Sequence, residues 1–385
     1  MAKNKSSQLP IVETSKNLTQ MEVKSLSLKY NLADAHTHQN LSHSQRSIIA
    51  DLPNIFLESQ ERKQDELENR FATTFLNLNG QTVGAQLGGN LLCYSSSIAM
   101  EIVGKFISHR GFMVSLIEPT FDNIPDIFRS FQIPVISYSD NLILDGNFDR
   151  IFSGKIADAI FITLPNNPTG TYLDNTRFSM LAEFCAQSGK ILIVDVSFRI
   201  FEPGCLFDQY EILENSGTDY ILIEDTGKIW PTLDMKVGFL KCSRNLYSEL
   251  ELLHSHILLN VSPFTLNLLS YFIEDSRRDN LYSIRHLLET NRNYLRSKLD
   301  SRIFRIACPS SKVSVEFLRL VRRVSSDKLV SYLSSRNIGI LSGSKFFWDH
   351  PRQGNRYIRV ALARTPNAFS DSVNALLDAC SEYYQ

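Results

Sequence analysis

The sequence of 385 residues is poor in cysteine, in long apolar runs and in any excess of charge. Its six cysteines include no CxxC pair, so neither a disulfide scaffold nor a cysteine metal site is indicated, and we expect buried thiols of a reducing compartment. Forty basic residues oppose 41 acidic ones, without the basic excess that is typical of nucleic-acid-binding proteins. No apolar run approaches the roughly 20 residues that a membrane helix requires. We therefore expect no nucleic-acid partner and no membrane span.

The amino-terminal segment and the histidines are two further candidate features. Residues 1–30 are polar and lack the apolar core of a signal peptide, so a cytoplasmic location is predicted.

Three histidines crowd residues 36–43, and His254 and His256 form an HxH pair. Residues two apart on a helix point to different faces, which makes a poor chelate. We expect no metal site.

The centre of the chain combines short apolar runs with helical stretches. The runs are rich in β-branched residues and bounded by turn signals; they occupy residues 114–117, 159–163, 191–194, 221–223 and 237–240. Strands that are buried on both faces and separated by helices are typical of a mostly parallel α/β sheet. The accompanying helices are predicted at residues 53–78, 98–108, 176–187 and 262–299.

Towards the carboxyl terminus the pattern changes to short alternating strands, at residues 313–317 and 357–360, with helices at 326–335 and 368–382. This indicates a second, smaller α+β unit, which the chain length also favours. Residues 1–20 have no apolar periodicity and are predicted to form a mobile arm.

Ligands of parallel sheets bind beyond the carboxyl ends of the strands, so the residues that follow each run are candidates for a site. The NNPTG segment at 166–170 forms an obligate turn that presents the Asn167 amide. Asp195 ends an apolar run, where burial is costly unless a cation or a strong donor meets the carboxylate. Lys228 follows the next run and suits a Schiff-base nucleophile, and Lys236 could reach an anion. A plain loop, a helix cap or salt bridge, and surface lysines are the alternative interpretations.

Ser95, Ser96 and Ser97 stand at the start of a predicted helix. Their hydroxyls and the free backbone N–H groups at the positive end of the helix dipole can form a cradle for a phosphate group. Ordinary capping is the alternative, since serine is a common N-cap residue. Each of these signals is weak alone, and their order along the chain is what makes them informative.

In this order and spacing, the motifs resemble those of fold-type I pyridoxal-phosphate enzymes of the class I and II aminotransferase superfamily. Asp195 lies about 25 residues beyond the NNPTG turn, and Lys228 follows about 33 residues later. The resemblance covers residues 55–385 and implies an α/β fold, with a mostly parallel sheet in a large domain and a smaller α+β domain. The implied contacts are Lys228 in a Schiff base with pyridoxal phosphate, Asp195 on the pyridine nitrogen, Asn167 on the phenolic oxygen, Phe121 stacked on the ring, Ser95, Ser96, Ser97 and Lys236 on the phosphate, and Arg359 on the substrate carboxylate.

Two positions depart from the aminotransferase pattern. The pattern has a tyrosine three residues after the aspartate and an arginine eight residues after the lysine, where this chain has Phe198 and Lys236. The missing phenol alters how the cofactor oxygen is polarised, which argues against ordinary transamination. Whether Ser197 supplies a hydroxyl to that oxygen instead stays open.

A narrower resemblance runs from about residue 17 to the carboxyl terminus and includes the amino-terminal arm. Segments 17–20, 33–36, 93–97, 119–123, 195–199 and 224–232 are similar to the pyridoxal-phosphate-dependent L-arginine oxidases, the hydroxylases and desaturases of antibiotic biosynthesis. The similarity implies oxidation of L-arginine by two or four electrons, through quinonoid intermediates, with O2 as co-substrate and neither metal nor flavin. The products would be 2-oxoarginine, 4-hydroxy-2-oxoarginine or a dehydroarginine imine.

The same resemblance suggests roles for side chains near the substrate. Asp225, Glu22 and Thr19 are the candidates to bind the guanidinium group, because its planar fork matches carboxylates. Glu22 is otherwise a solvated helix residue. His36 is the candidate proton carrier, since imidazole titrates near neutrality, and is otherwise a residue at a helix end. His38 is predicted to be a surface residue.

The resemblance also suggests a division of the chain and its assembly. Residues 1–45 would close over the substrate, residues 46–285 would form the cofactor domain, and residues 286–385 would form the small domain. Sites of this fold type lie at a dimer interface, so a homodimer or a dimer of dimers is expected. A desaturase would also suit an imine-reductase partner.

Two other functions compete with arginine oxidation. A conventional aminotransferase is disfavoured by the arm motif and by Phe198, and consumption of O2 would distinguish the two activities. A non-catalytic pyridoxal-phosphate-binding effector module is disfavoured because Lys228, Asp195 and Arg359 are all present.

Overall fold

The computed structural model describes residues 16–152, 157–322 and 324–385. Its helices are α1 (Leu18–Ser25), α2 (His43–Ala50), α3 (Leu52–Glu61), α4 (Gln64–Leu78), α5 (Thr82–Gln86), α6 (Ser96–Arg110), α7 (Asn123–Ser130), α8 (Phe148–Phe152), α9 (Asn175–Ser188), α10 (Gln209–Ser216), α11 (Arg244–Ser255), α12 (Pro263–Asp279), α13 (Tyr282–Lys298), α14 (Ser326–Ser335), α15 (Pro351–Gly354) and α16 (Pro366–Tyr384). Its strands are β1 (Tyr30–Asn31), β2 (Leu91–Cys93), β3 (Val114–Glu118), β4 (Val135–Ser139), β5 (Ala159–Thr163), β6 (Ile191–Asp195), β7 (Tyr220–Asp225), β8 (Gly238–Cys242), β9 (Phe304–Ile306), β10 (Val315–Leu320), β11 (Ile338–Gly339), β12 (Leu341–Ser342) and β13 (Tyr357–Ala361). Short 3₁₀ turns occupy Asp140–Asp145, Arg199–Phe201, Pro203–Cys205 and Gly343–Lys345.

The larger sheet has the strand order β2-β8-β7-β6-β5-β3-β4. Strands β7, β6, β5, β3 and β4 run parallel, whereas β8 is antiparallel to both of its neighbours. Every residue of β3, β5 and β6 is buried, which explains why these segments are unbroken apolar runs. The predicted α/β fold with a mostly parallel sheet is confirmed. The reversed direction of β8 is not evident from the sequence, because a buried strand has the same composition in either direction.

Helices cover both faces of this sheet. Successive residues of β6 belong to different hydrophobic clusters, with Leu192 in one and Ile193 in the other. On the first face, α4 packs against α12, and Phe71 and Phe75 of α4 meet Phe239 of β8 edge to face, with ring centroids 6.2 and 5.9 Å apart. On the second face, α6 packs against β7, β8 and α11. Among the helices of the described ranges, none combines the length and apolar character needed to cross a membrane.

The predicted smaller α+β unit is also confirmed. It contains an antiparallel sheet in the order β12-β13-β10-β9, in which α14 packs against β12, and α16 packs against both α13 and α14. Phe317 of β10 pairs with Arg359 of β13, so Arg359 lies on a central strand of this sheet. The domain boundaries at residues 45 and 285 stay predictions.

Part of the predicted mobile arm is helical. Helix α1 begins with a capping box, in which Asn17 Oδ1 accepts the Gln20 N–H at 2.8 Å and Gln20 Oε1 accepts the Asn17 N–H at 3.2 Å. Leu18 is fully buried, and β1 then pairs in parallel with β11 of the small unit. The prediction of a mobile arm is therefore wrong for residues 18–20, which begin α1. The sequence does not reveal this helix because one buried leucine gives no periodic signal. Residues 1–15 lie outside the described residues.

Two of the predicted helices are each divided in two. The one that begins near residue 53 breaks at Arg62 and Lys63, which have extended backbone and separate α3 from α4. The one that ends near residue 299 breaks at Asn280 and Leu281, whose φ values are 51° and 57°. A left-handed conformation is unfavourable for leucine, and Leu281 is buried, so tertiary packing sets this break.

A buried ion pair gives a test of this packing. Arg199 Nη2 donates to both oxygens of Glu224 at 2.6 and 2.7 Å, and the two side chains are only 1% and 2% exposed. We expect Glu224→Gln to lower the free energy of unfolding by about 3 kcal/mol or more, because it leaves a buried guanidinium without its counter-charge.

Chemical denaturation measures this loss. The control is Glu249→Gln, which breaks the partly exposed Arg110–Glu249 pair of 2.6 Å. We expect it to cost about 1 kcal/mol or less, because exposed pairs contribute little. Equal losses in the two variants would contradict the prediction.

Candidate active site

A cavity of about 150 Å³ lies at the carboxyl edge of the large sheet. Thr163, Asp195 and Asp225, the last residues of β5, β6 and β7, form part of its wall. The predicted site residues that line the cavity are Thr19, Glu22, His36, Ser95, Ser96, Ser97, Phe121, Asn167, Asp195, Ser197, Asp225, Lys228 and Lys236. Arg359 joins them through hydrogen bonds to Asn167 and Glu22. The structure therefore brings all of the predicted site residues to one place.

Asp195 is buried at the end of β6, and its Oδ1 accepts the Ser197 N–H at 3.0 Å and the Ser197 hydroxyl at 2.5 Å. Burial raises the pKa of Asp195 to about 6, although the hydrogen bonds from Ser197 oppose the shift. A cation beside this carboxylate would favour its charged form. The Ser197 hydroxyl here orients Asp195, and the suggested contact with a cofactor oxygen stays a prediction.

The NNPTG turn is held by a carboxylate from another part of the chain. Asp140 Oδ2 accepts hydrogen bonds from the Thr169 hydroxyl at 2.6 Å, the Thr171 hydroxyl at 3.0 Å and the Asn166 amide at 3.1 Å. Gly170 has φ +71°, and a Cβ there would lie 2.0 Å from Ser311 Oγ, so only glycine fits. These constraints set where Asn167 projects into the cavity.

The amino terminus of α6 forms another part of the wall. Ser95 is the N-cap and its Oγ accepts the Ile98 N–H at 3.4 Å. A Cβ on Gly238 would lie 2.5 Å from the backbone nitrogen of Ser96, so glycine allows β8 to approach the helix end closely. Asp225 accepts from the Ser96 hydroxyl at 3.4 Å and from the Gly227 N–H at 3.1 Å, so it lies beside this helix end. The contact between Asp225 and the substrate guanidinium stays a prediction.

Two lysines converge on one histidine. Lys228 Nζ lies 3.2 Å from His36 Nε2, and Lys236 Nζ lies 3.4 Å from the same atom. His36 follows β1 in a loop and is not at a helix end. The other ring nitrogen, Nδ1, lies 2.6 Å from Asp34 Oδ1.

Arg359 is fully buried and pairs with the amino-terminal helix. Its Nη2 donates to Glu22 Oε1 at 2.6 Å and to the Ala33 carbonyl, and its Nη1 donates to Asn167 Oδ1 at 3.3 Å. The guanidinium carbon also lies 5.9 Å from the centroid of the Phe121 ring. Glu22 is thus an ion-pair partner of Arg359, whereas the sequence suggests it only for the substrate guanidinium.

Sequence reasoning does not identify three buried carboxylates that support the site. Asp140 holds the NNPTG turn, Asp34 contacts His36, and Asp122 Oδ2 accepts the Leu18 N–H of α1 at 2.8 Å. Asp34 and Asp122 lie within segments that resemble the oxidases, but nothing in the sequence marks the residues that they contact.

The donor set fits pyridoxal phosphate. Serine hydroxyls, free N–H groups at a helix start and the Lys236 ammonium are what a phosphate requires. The buried Asp195 carboxylate suits a protonated pyridine nitrogen, and the Lys228 amine suits a Schiff base. Across the described ranges, no three His, Cys, Asp or Glu side chains form a group that could hold a metal ion.

The raised pKa of Asp195 predicts how the cofactor-free protein responds to pH. The Asp195 carboxyl has a pKa of about 6 in the folded chain and of 3.8 in the unfolded chain, so the folded state binds its proton more tightly. This difference adds stability that is fully present below pH 3.8 and is lost as the pH rises through about 6. We expect Asp195→Asn to avoid this loss and to stabilise the cofactor-free protein at neutral pH by about 3 kcal/mol, since one pKa unit corresponds to ~1.4 kcal/mol.

Thermal or urea unfolding at several pH values checks this difference, which should shrink as the pH falls below about 6. Asp126→Asn changes an exposed carboxylate and should alter stability by about 0.5 kcal/mol or less at each pH. A cofactor-free Asp195→Asn variant that is less stable than the wild type at neutral pH would refute the prediction. Loss of cofactor affinity in the same variant is expected, because the amide cannot balance a pyridinium charge.

Comparison with known proteins agrees with this geometry. A family model described as aminotransferase class I and II matches residues 31–374. MppP, in a structure soaked with the product 2-ketoarginine, is 33% identical in sequence; the match covers 90% of this chain and 98% of the MppP chain, with a TM-score of 0.83.

More distant proteins share the fold. LysN, the α-aminoadipate aminotransferase of Thermus thermophilus, is 16% identical, with 96% of this chain and 95% of that chain covered and a TM-score of 0.76. A probable aspartate/prephenate aminotransferase of Aquifex aeolicus (strain VF5) is 26% identical over 111 residues, which are 28% of this chain and only 27% of that protein. A family model covers most of the chain, and MppP is similar to it along 90% of its length. The chain therefore belongs to the aminotransferase class I and II family, and its similarity to MppP agrees with the resemblance found in the sequence.

Proposed function

We propose that the protein oxidises L-arginine with O2, using pyridoxal phosphate and neither metal nor flavin. The observation that carries the proposal is the relationship, along 90% of the chain, to MppP, for which 2-ketoarginine is a product. The position of α1 supports it, because this helix brings Thr19 and Glu22 to the cavity. Phe198, in place of the tyrosine of the aminotransferase pattern, favours the same function.

Arg359 would bind the α-carboxylate of the substrate. Among the described residues its Nε has no hydrogen-bond partner, so a donor is left over, while Glu22 accepts from Nη2. A substrate carboxylate that takes the Nη2 donor would release Glu22, which would then bind the substrate guanidinium together with Asp225 and Thr19. Binding of arginine would thus replace the Arg359–Glu22 pair with two pairs, one between Arg359 and the substrate carboxylate and one between Glu22 and the substrate guanidinium.

The other residues of the cavity would move and hold protons. When bound, pyridoxal phosphate supplies a sink for the electrons of the substrate Cα–H bond. Asp195, oriented by Ser197, would keep a proton on the ring nitrogen. The Lys228 amine would remove the Cα proton, and His36 Nε2, 3.2 Å away, would receive a proton from Lys228. Helix α1 would exclude bulk water from the cavity.

The electrons removed from arginine would pass to O2. A two-electron oxidation converts arginine and O2 into an imine and hydrogen peroxide, and water hydrolyses the imine to 2-oxoarginine and ammonia. A second two-electron oxidation by another O2 introduces a Cβ–Cγ double bond. Addition of water at Cγ and hydrolysis then give 4-hydroxy-2-oxoarginine. Release before that addition leaves a dehydroarginine imine, which an imine-reductase partner would consume.

The assembly and setting follow from the same family relationship. We infer a cytoplasmic homodimer or dimer of dimers that acts in antibiotic biosynthesis. The exposed apolar side chains of Leu233 and Leu259, 95% and 93% accessible in the single chain, are of the kind that a partner copy would cover.

The first test of the function is O2 consumption by the cofactor-loaded protein. We expect L-arginine to drive O2 uptake and to yield a 2-oxo acid, with mass spectrometry separating 2-oxoarginine from its hydroxylated and dehydrogenated forms. An aminotransferase, which the match to the Aquifex protein favours as the alternative, would instead leave O2 unchanged and require a 2-oxo acid acceptor.

A second test concerns recognition of the guanidinium by Glu22. Citrulline has nearly the shape of arginine without its charge, so the ratio of kcat/KM for arginine to that for citrulline reports carboxylate contacts. We expect Glu22→Gln to lower this ratio about tenfold or more, because hydrogen bonds to charged groups contribute ~1.5–3 kcal/mol. Glu66→Gln, on α4 and away from the cavity lining, should leave the ratio unchanged. An unchanged ratio in Glu22→Gln would mean that Glu22 stays on Arg359.

A further inference from the structure

Asp34 is a buried carboxylate held between two histidines. Its Oδ1 lies 2.6 Å from His36 Nδ1 and also accepts the backbone N–H of His36 at 3.0 Å, while its Oδ2 lies 2.5 Å from His38 Nε2. Burial alone would raise the pKa of Asp34, but the hydrogen bonds from His36 and His38 outweigh it and hold that pKa well below its usual range. His38 is 40% exposed and is nevertheless part of this group.

The loop that carries Asp34 is fixed independently of its side chain. Arg364 is buried and donates to the backbone carbonyls of Asn31 at 2.8 Å, Asp34 at 2.6 Å and His36 at 3.1 Å. The His38 N–H donates to the Ala363 carbonyl at 2.9 Å. Because these contacts use only main-chain atoms of the loop, the Asp34 side chain can be changed while the loop keeps its anchors.

An ionised carboxylate can only accept hydrogen bonds, so the His36 Nδ1 that faces it must carry a proton. In the neutral ring, Nε2 is then unprotonated and acts as an acceptor. This is the atom that lies 3.2 Å from Lys228 Nζ and 3.4 Å from Lys236 Nζ. The exposed Asp234 carboxylate is farther from it, at 3.9 Å.

We propose that Asp34 is a positioning residue that holds His36 in the Nδ1–H form, with the Nε2 lone pair directed at Lys228, and that His38 braces the carboxylate from its other side. This inference rests on the proposed function, in which Lys228 becomes protonated when it removes the Cα proton. One N–H bond of the Lys228 ammonium then breaks and one forms at His36 Nε2. The Nδ1 proton stays on His36, and Asp34 stays ionised and balances the imidazolium charge. The lysine is returned to its amine form.

Substitutions at Asp34 separate orientation from charge. In Asp34→Ala, Nδ1 loses its acceptor and the ring is free to carry its proton on Nε2, so we expect kcat for arginine to fall about 100-fold or more with KM nearly unchanged. In Asp34→Asn, the amide oxygen can still accept from the backbone N–H and Nδ1 of His36. Because the backbone N–H of His36 requires an acceptor, it keeps the amide oxygen, and not the amide nitrogen, facing Nδ1. We expect this variant to retain the tautomer and to recover at least about tenfold of the lost kcat.

The tautomer is measured directly by NMR of the protein labelled with 15N-histidine, at mildly alkaline pH and without substrate, with His36→Gln used to assign the signal. We expect the Nδ1–H pattern in the wild type and in Asp34→Asn, and its loss in Asp34→Ala. Asp234→Asn, which alters the other carboxylate near Nε2, should change neither the tautomer nor kcat.

Retention of the tautomer and of kcat in Asp34→Ala would overturn the proposal, as would equal kcat values for Asp34→Ala and Asp34→Asn. If Asp34→Ala does not fold, His38→Ala provides the test at an exposed position: a severalfold lower kcat is expected, and an unchanged kcat and tautomer would refute the bracing role. The tautomer is measured without substrate, so absence of arginine oxidation in the wild type would refute only the proposed function.

Discussion

The buried guanidinium of Arg359 is the group on which the arrangement of the active site depends. A fully buried charge must be paired, and its partners come from three parts of the chain: Glu22 of α1, the Ala33 carbonyl and Asn167 of the NNPTG turn. The residue itself lies on β13 of the small sheet. The amino-terminal helix, the large sheet and the small sheet therefore meet around one charge, and any ligand that binds Arg359 alters the contacts of all three.

The large sheet places its polar side chains where its hydrophobic packing ends. β5, β6 and β7 are buried along their lengths and end at Thr163, Asp195 and Asp225, which line the cavity. The cost of burying Asp195 is met in part by Ser197. The remaining cost, which raises the pKa of Asp195 to about 6, would be offset by a cationic ligand beside the carboxylate.

Much of the fold can be predicted from the sequence because its signals are local. The apolar runs mark the strands within a residue or two, and the alternation with helices indicates a parallel sheet. The predictions fail where the deciding interaction is distant. Arg62 and Lys63 divide a continuous helical pattern, Leu281 adopts a left-handed conformation because of burial, and β8 runs antiparallel. The helix at Leu18 depends on a cap and on contact with Asp122.

The cofactor-binding candidates can be predicted from the sequence alone, because Asn167, Asp195 and Lys228 each lie at or just beyond the end of an apolar run in a recognisable local motif. How these groups are supported becomes evident only in three dimensions. Glu22 meets Arg359 across 337 positions, and Asp34 shares its two oxygens between His36 and His38. The difference arises because nothing in the sequence marks which donor a buried carboxylate contacts. Burial removes water from the carboxylate, so the tertiary structure has to supply a hydrogen-bond donor beside it.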